Sequence, residues 1–119
     1  MIRVKATREG LVGGKTASGY KIDKVVPFVA LPSKHALYSF VRLHNPLNGK
    51  KCLAIVLDVG PWNIEDDNYV FSNTRPQAEG GIDLFRRTTN HAGIDLSEKV
   101  WTQLDMKGNT DIEWEFINV

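Results

Sequence analysis

Residues 57–69, LDVGPWNIEDDNY, contain the side chains best suited to acid–base chemistry. They follow an apolar run, 52–57, that is typical of a buried strand, and the next residue is the carboxylate Asp58. Gly60-Pro61 then turns the chain, and Trp62 follows at once. An aromatic neighbour that excludes water raises the pKa of a carboxyl group. The stretch therefore predicts either a proton donor at Asp58 or a carboxylate that only caps a turn.

A glycine-rich stretch, 9–19, holds further polar residues that could line a site beside Asp58. Thr16, Ser18 and Tyr20 carry hydroxyl groups at close spacing, and such groups donate hydrogen bonds to ligand hydroxyls. The alternative is a plain turn stabilised by serine and threonine side chains.

Two aromatic residues and a second acid complete the candidate set. Trp62 and Tyr69 either stack on a ligand ring or fix the adjoining loop to the domain. Asp95 lies in an apolar run, where a partly buried carboxylate must be paired or hydrogen bonded. The three histidines lack metal-ligand spacing, so the sequence predicts neither a metal site nor a cofactor.

Length and charge exclude several classes of protein. The 119 residues fit one domain, predicted to span 1–119 and to be a monomer. A net charge of +1 gives no basic surface for nucleic acid, and no run approaches the ~20 apolar residues of a membrane span. The first residues, MIRV, do not resemble a signal peptide. We therefore expect a cytoplasmic or phage-associated protein, or a periplasmic or extracellular one if a leader has been removed.

Hydrophobic alternation predicts a protein made mostly of strands and turns. Asn48-Gly49 is typical of a tight hairpin between two of the strands. The absence of any pattern for two separate sheets favours an all-β, small closed barrel of five or six strands. A short helix follows Ser97, which is a good N-cap. The predicted strands cover residues 2–7, 25–31, 40–45, 51–58 and 112–117, and the helix runs from 98 to about 106.

Residues 63–91 have no sustained period and read as a long inserted loop. Because the loop contains several aromatic residues, we expect it to be ordered, with Phe71 and Phe85 packed on the barrel. Its two ends are fixed close together by Gly60-Pro61 and by 93–94. It is therefore expected to form a wall or lid beside Asp58.

Four short pieces, in one order, carry a resemblance to a known family. They are GGKTASG at 13–19, VRLHNPLNGK at 41–50, DVGPW at 58–62 and AGIDLS at 92–97. Together they resemble the double-psi β-barrel domain of the rare lipoprotein A group. Its superfamily includes expansins, barwin-like proteins and membrane-bound lytic transglycosylase A.

The resemblance implies a six-stranded double-psi barrel, with one or two short helices and a groove that binds a polysaccharide, here peptidoglycan glycan. In catalytic members the Asp before Gly-Pro is the general acid, which implies that role for Asp58. The chain departs from the family at the histidine that partners this Asp, because that position falls at or near Pro32. His35 lies three residues further on.

Two classes of function stay open. One is cell-wall polysaccharide cleavage by a lytic-transglycosylase-like or glycosidase-like mechanism, with Asp58 as acid. A second carboxylate would come from Glu9, Asp66 or Asp67. The other is a non-catalytic module that binds glycan or has a structural role in a phage or cell-envelope assembly. A titratable partner within hydrogen-bond reach of Asp58, or across the groove from it, would distinguish the two.

Overall fold

The computed structural model of the protein, which describes residues 1–117, contains six strands and two short helices. The strands close into one barrel in the order β1-β5-β2-β4-β3-β6, which confirms the predicted six-stranded all-β barrel. Residues 118 and 119 of the predicted domain lie outside the described residues. The elements are β1 (Ile2–Arg8), β2 (Phe28–Leu31), β3 (Phe40–His44), β4 (Lys51–Val59), α1 (Asp67–Ser72), β5 (Ile94–Leu96), α2 (Glu98–Gln103) and β6 (Asp111–Phe116), with single 3-10 turns at Lys34–Ala36 and Gln77–Gly80.

Parallel and antiparallel pairs alternate in part of the barrel wall. β1 pairs with β5 and β2 pairs with β4 in parallel, whereas β5 and β2 are antiparallel to each other. The remaining pairs, β3–β4, β3–β6 and β1–β6, are antiparallel. Parallel pairs cannot be joined by a tight hairpin, so the chain must cross the barrel between them. These crossings bring the loops after β1 and β4 to one part of the wall.

The barrel interior holds the alternate apolar side chains of every strand, among them Val4, Val29, Val56 and Ile94. A second, smaller cluster lies on the other face of the wall, where Phe28, Ile22 and Leu57 pack together. This outer cluster supports the loop between β1 and β2. The two clusters show which face of each strand points inward.

Tyr69 belongs to the interior, so of its two predicted roles it fixes the loop 63–91 to the barrel and does not stack on a ligand. It is 1% exposed. Its hydroxyl donates to the carbonyl of Gly93 at 2.8 Å and accepts from Trp114 Nε1 at 2.8 Å. Gly93 allows this approach, because a Cβ there would lie 3.0 Å from Val4 Cβ and 3.1 Å from the Tyr69 hydroxyl.

The inserted loop 63–91, called the excursion below, is ordered. It is not a plain loop, since it contains α1 and a 3-10 turn. Phe71 stacks on Phe116 with ring centroids 5.4 Å apart. Phe85 does not pack on the barrel and is 59% exposed, which corrects that expectation. A six-residue helix is too short to show a helical period in sequence, so α1 was not predictable from the hydrophobic pattern.

Two predicted boundaries also move. The strand predicted from Val25 begins only at Phe28, because the amides of Val25 and Val26 bond to Asp23 Oδ1 in a turn. The helix predicted to reach about residue 106 ends at Gln103.

Replacing Tyr69 with Phe should lower the free energy of unfolding by about 1–3 kcal/mol, because it leaves a buried carbonyl and a buried indole N–H without partners. Urea unfolding followed by tryptophan fluorescence measures the change. Tyr38→Phe is the matched control, since Tyr38 is 60% exposed and should unfold at the wild-type midpoint. Equal midpoints for all three proteins would show that the buried hydroxyl contributes nothing.

Candidate functional site

A shift in strand register explains why the apolar strand β4 finishes on an acid. Val29 pairs with Val56, but the next residue of β2, Ala30, pairs with Asp58, so Leu57 is an extra residue in β4. Without the shift, side-chain alternation would turn Asp58 toward the barrel interior. A bulge of this kind redirects the side chains that follow it. Asp58 therefore lies on the outer face of the wall.

The same register places two acids in one row across the barrel wall. Asp95 pairs with Ala30 on one side and with Thr7 on the other, and Ala30 pairs with Asp58. Thr7, Asp95, Ala30 and Asp58 thus lie side by side on β1, β5, β2 and β4. Side chains in one row project from the same face of a sheet, so both carboxyl groups approach the same surface.

The loop between β1 and β2 folds against Asp58. Asp58 Oδ1 accepts from the amide of Ala17 at 2.8 Å and from its neighbour Val59 at 2.9 Å. The amide of Ser18 donates to the carbonyl of Leu57 at 3.2 Å. Asp58 therefore lies next to residues 16–20, as predicted.

The three hydroxyl residues of this loop have mainly structural contacts. Thr16 is buried; its Oγ1 accepts from the amide of Tyr20 at 3.2 Å and lies 2.7 Å from Ser18 Oγ. The ring of Tyr20 packs edge-on against Phe28 at 5.9 Å. Thr16 and Tyr20 thus hold the loop in place over Asp58. This matches the alternative of a turn stabilised by its own side chains.

Glu9, the first residue after β1, is the acid that meets Asp58. Burial raises the pKa of Glu9 to about 9, with further contributions from a hydrogen bond to Asp58, from its charge and from the charge of Asp95. Glu9 Oε2 is buried and has no donor among residues 1–117, so a contact between the two carboxyl groups requires a proton on one of them. At neutral pH Glu9 carries that proton. Glu9 was one of three candidates for this position.

Asp95 is the third carboxyl group of the cluster. Burial raises the pKa of Asp95 to about 6; a hydrogen bond from Thr7 opposes this and the charge of Asp58 adds to it. Thr7 Oγ1 donates to Asp95 Oδ1. Gly60 adjoins the same carboxylate: a Cβ there would lie 3.9 Å from Asp95 Oδ2, and its φ of 144° suits glycine. The predicted partial burial of Asp95 and its need for a donor both describe the structure.

An open cleft of about 480 Å³ adjoins the cluster and contains Asp95 in its lining. Trp62 forms part of the wall, with a backbone φ of 72° that is unusual for a large residue. Its Nε1 donates to Asn90 Oδ1 at 2.9 Å, and its carbonyl accepts from Arg87 at 2.6 Å. These bonds fix the indole at the cleft. The cleft is lined by Thr7, Arg8, Pro61, Trp62, Asn90, Asp95 and Asn109.

The other predicted partners of Asp58 have contacts elsewhere. Asp67 accepts from Ser33 Oγ and pairs with His35 Nδ1 at 2.9 Å. Asp66 Oδ2 accepts from the amide of Gln77 at 2.8 Å. His35 therefore does not replace the histidine expected near Pro32. The contacts of Asp67 instead tie the start of the excursion to the segment after β2, whereas the bond of Asp66 lies within the excursion.

Sequence reasoning missed Asn90 and Asn109, which line the cleft. An asparagine in a long polar stretch is typical of a turn, and nothing in its local pattern indicates that it bonds to a tryptophan 28 residues away. Thr7 had a usable signal, because strand alternation places it on the face opposite Val4 and Ala6.

Two further findings concern metal ligands and membrane spans in the described part of the chain. Among residues 1–117, no cluster of three or more histidine, cysteine or acidic side chains has an arrangement that could hold a metal ion. Over the same residues, no helix has the length and apolar character needed to cross a membrane.

The fold and site together define a closed six-stranded barrel with a carboxyl cluster on its outer wall. The chain belongs to the family described as Domain of unknown function (DUF8814), whose model matches residues 1–115. Among solved structures, the Streptomyces papain inhibitor (SPI) is similar in fold, with a TM-score of 0.56 and 18% identity over 98% of this chain and 94% of that chain. No curated protein matches the sequence.

Asp58→Ala should lower the free energy of unfolding by about 1–3 kcal/mol, because two backbone amides lose their acceptor. Asp58→Asn keeps an oxygen at the same place and should unfold within about 0.5 kcal/mol of wild type. Chemical denaturation of the three proteins tests this. Equal destabilisation by Asn and Ala would show that the charge of Asp58, rather than its shape, holds the turn.

Glu9→Gln should become more stable relative to wild type as the pH rises. The pKa of Glu9 is about 9 in the fold and near 4.5 in the unfolded chain, so between these values the folded state binds the extra proton. Stability supplied by this group is complete below pH 4.5 and is lost as the pH rises toward 9. The difference should reach on the order of 2 kcal/mol, since one pKa unit is worth about 1.4 kcal/mol and solvent screens part of the shift.

Unfolding of both proteins at several pH values between 5 and 9 measures this slope. Glu65→Gln is the control: its ion pair with Lys34 lowers the pKa of Glu65, so its stability difference from wild type should be flat over this range. A flat difference for Glu9→Gln as well would contradict a proton held by Glu9.

Proposed function

We propose that this protein cleaves cell-wall polysaccharide, with the Glu9–Asp58 carboxyl pair as its acid–base group. The observation that carries the proposal is a buried Glu9, with its pKa raised to about 9, beside the carboxyl group of Asp58, in a cluster whose third acid, Asp95, lines the open cleft. A carboxyl group that keeps its proton at neutral pH can protonate a leaving oxygen. Glu9 supplies the titratable partner of Asp58 that the resemblance assigns to a histidine.

The closeness of the two carboxyl groups favours a lytic-transglycosylase-like reaction over hydrolysis. Glycosidase pairs flank the scissile bond at about 5–9.5 Å so that a sugar, or a sugar and a water, fits between them. Two carboxyl groups joined by a hydrogen bond, as Glu9 and Asp58 are, leave no room for a sugar between them. Glu9 and Asp58 therefore act on one side of the bond, as a single acid–base group.

In this reaction Glu9 delivers its proton to the glycosidic oxygen while the bond from the anomeric carbon to that oxygen breaks. A hydroxyl of the same sugar then attacks the anomeric carbon, and its proton returns to the carboxyl pair. The products are a shortened chain and an intramolecular anhydro sugar, and no water is consumed. Asp58 receives the hydrogen bond of Glu9 before the reaction and stays anchored by the amides of Ala17 and Val59.

The cleft has the chemistry of a sugar site. Trp62 offers an indole held in a fixed orientation, and Asn90 and Asn109 bring amide groups to the same lining. Sugars present flat apolar ring faces and many hydroxyl groups, which aromatic and amide side chains respectively recognise. The motif around Asp58, with its resemblance to the rare lipoprotein A group, supports peptidoglycan glycan as the polymer.

The alternative function is a glycan-binding module without catalysis. One observation favours it: Asp58 Oδ1 caps the loop through two backbone amides, which is a sufficient structural role. This alternative keeps the cleft and Trp62 but assigns no reaction to Glu9. Binding without product formation would identify it.

Incubation with purified peptidoglycan, both intact and stripped of stem peptides, should release anhydro-sugar products that mass spectrometry detects. Glu9→Gln and Asp58→Asn should each lower the rate by about 10²–10⁴-fold, because the first removes the proton donor and the second removes the carboxylate that accepts its hydrogen bond. The rate should fall as the pH rises through about 9, where Glu9 loses its proton. Glu65→Gln, which removes an exposed carboxylate paired with Lys34, is the control and should act as wild type.

Reducing-end products with wild-type protein would replace the transglycosylase mechanism with hydrolysis. Activity that survives Glu9→Gln would remove Glu9 from the reaction. No product with any glycan would rule out catalysis and leave the binding alternative.

A further inference from the structure

The end of the excursion forms a tight, internally braced turn between Ile82 and Thr88, which bridge to each other. Asp83 organises it: Oδ1 accepts from the amides of Phe85 and Arg87 at 2.9 and 2.8 Å. Oδ2 accepts from Arg87 Nε at 2.6 Å. The Asp83 side chain has no exposed surface, so a buried carboxylate holds the backbone of the turn in place.

Arg87 connects this turn to the cleft. Its guanidinium lies 5.6 Å from the ring centroid of Trp62 and 5.3 Å from that of Phe85. It also donates to the Trp62 carbonyl at 2.6 Å. Cation–π contacts on two rings and two hydrogen bonds hold the guanidinium. The two ring centroids are therefore within about 11 Å of each other, and Phe85 is fixed relative to the cleft wall.

Phe85 nevertheless faces solvent. It is 59% exposed, and its neighbour Leu84 is 63% exposed. The neighbouring Arg86 is exposed as well, and no ion pair involves it among residues 1–117. A phenylalanine that contributes little to the core, but is held in place by an arginine and a braced turn, is arranged for contact with another molecule.

We propose that Phe85 and Arg86 form a second subsite, which takes a sugar ring and a carboxylate of a polysaccharide that extends out of the cleft past Trp62. The inference rests on the proposed function, since the cleft determines where the polysaccharide leaves. Phe85 stacks on the apolar face of a sugar, and Arg86 pairs with an acidic group. Peptidoglycan glycan freed of its stem peptides carries such carboxylates, whereas a chain of neutral N-acetylglucosamine does not.

The test measures binding of defined oligosaccharides by calorimetry, in a Glu9→Gln background that prevents turnover. The probes are short and long oligomers of stripped peptidoglycan glycan, and neutral N-acetylglucosamine oligomers of matched length. Phe85→Ala should lower the affinity for the long oligomers of both kinds about ten-fold and leave the affinity for the short ones unchanged. Phe71→Ala is the matched control, because Phe71 is 49% exposed but stacks on Phe116.

Arg86→Gln should lower the affinity only for the long, carboxylate-bearing oligomers, by about five-fold. The loss should become smaller as salt is added, because salt screens the charge interaction. Arg75→Gln is its control, because Arg75 is paired with Glu79. An equal loss for short and long oligomers, or no difference between Phe85→Ala and Phe71→Ala, would overturn the subsite. Unchanged affinities in Phe85→Ala and Arg86→Gln would overturn it as well.

These outcomes separate the subsite from the reaction. If wild-type protein forms no product but long oligomers bind in a Phe85-dependent way, the proposed catalysis fails and the subsite stands. If product forms and Phe85→Ala changes no affinity, the subsite fails and the catalysis stands. If the Glu9→Gln protein without further changes binds no oligosaccharide of any length, the subsite is overturned.

Discussion

One extra residue in β4 determines where the acids of this protein lie. Because Leu57 is left between the pairs Val29–Val56 and Ala30–Asp58, Asp58 projects outward instead of into an apolar barrel. A carboxylate inside that barrel would be buried without partners, at a cost of several kcal/mol. Leu57 itself packs with Phe28 in the outer cluster, so the bulge also secures the surface on which the β1–β2 loop rests. The carboxyl cluster follows from this arrangement, because Asp95 shares the row and Glu9 follows β1.

Trp62 fixes the position of the long excursion, as the extra residue in β4 fixes the position of the acids. The excursion leaves the barrel directly after Trp62 and returns near Asn90, and the indole bonds to that residue. Asn63 strengthens the closure, since its side chain bonds to Gln77 at 2.7 Å and to the amide of Leu84 at 2.9 Å. Closing a long loop costs little more entropy than closing a short one, so a few such bonds suffice to fix its ends. Asn90, near the end of the excursion, thus lines the cleft, and Arg87 fixes the turn at 82–88 to the carbonyl of Trp62.

The sequence predicted the parts of this structure that depend on local pattern. Alternation in β1, β3 and β6 and the hairpin signal at Asn48-Gly49 were enough to propose a closed barrel. The register shift at Leu57 was not predictable, because it depends on pairing with β2, which the apolar run alone does not determine. The choice between the two alternatives for Tyr69 was not predictable for a similar reason. Its hydroxyl suggests an exposed residue, and only the distant partners Gly93 and Trp114 make its burial favourable.

The two acids beside the loop differ in what the fold needs from them. Asp58 satisfies the amides of Ala17 and Val59, so capping the loop explains its presence without any reaction. Glu9 satisfies no donor with its buried Oε2, and its burial next to Asp58 makes the folded state less stable as the pH rises above the usual range of a glutamate. A glutamine or an apolar residue would avoid that cost. Groups held against stability, with a strongly shifted pKa beside a cleft, are typical of functional sites. Capping the loop therefore accounts for Asp58, whereas the proposed acid–base role is the one that would make use of the proton on Glu9.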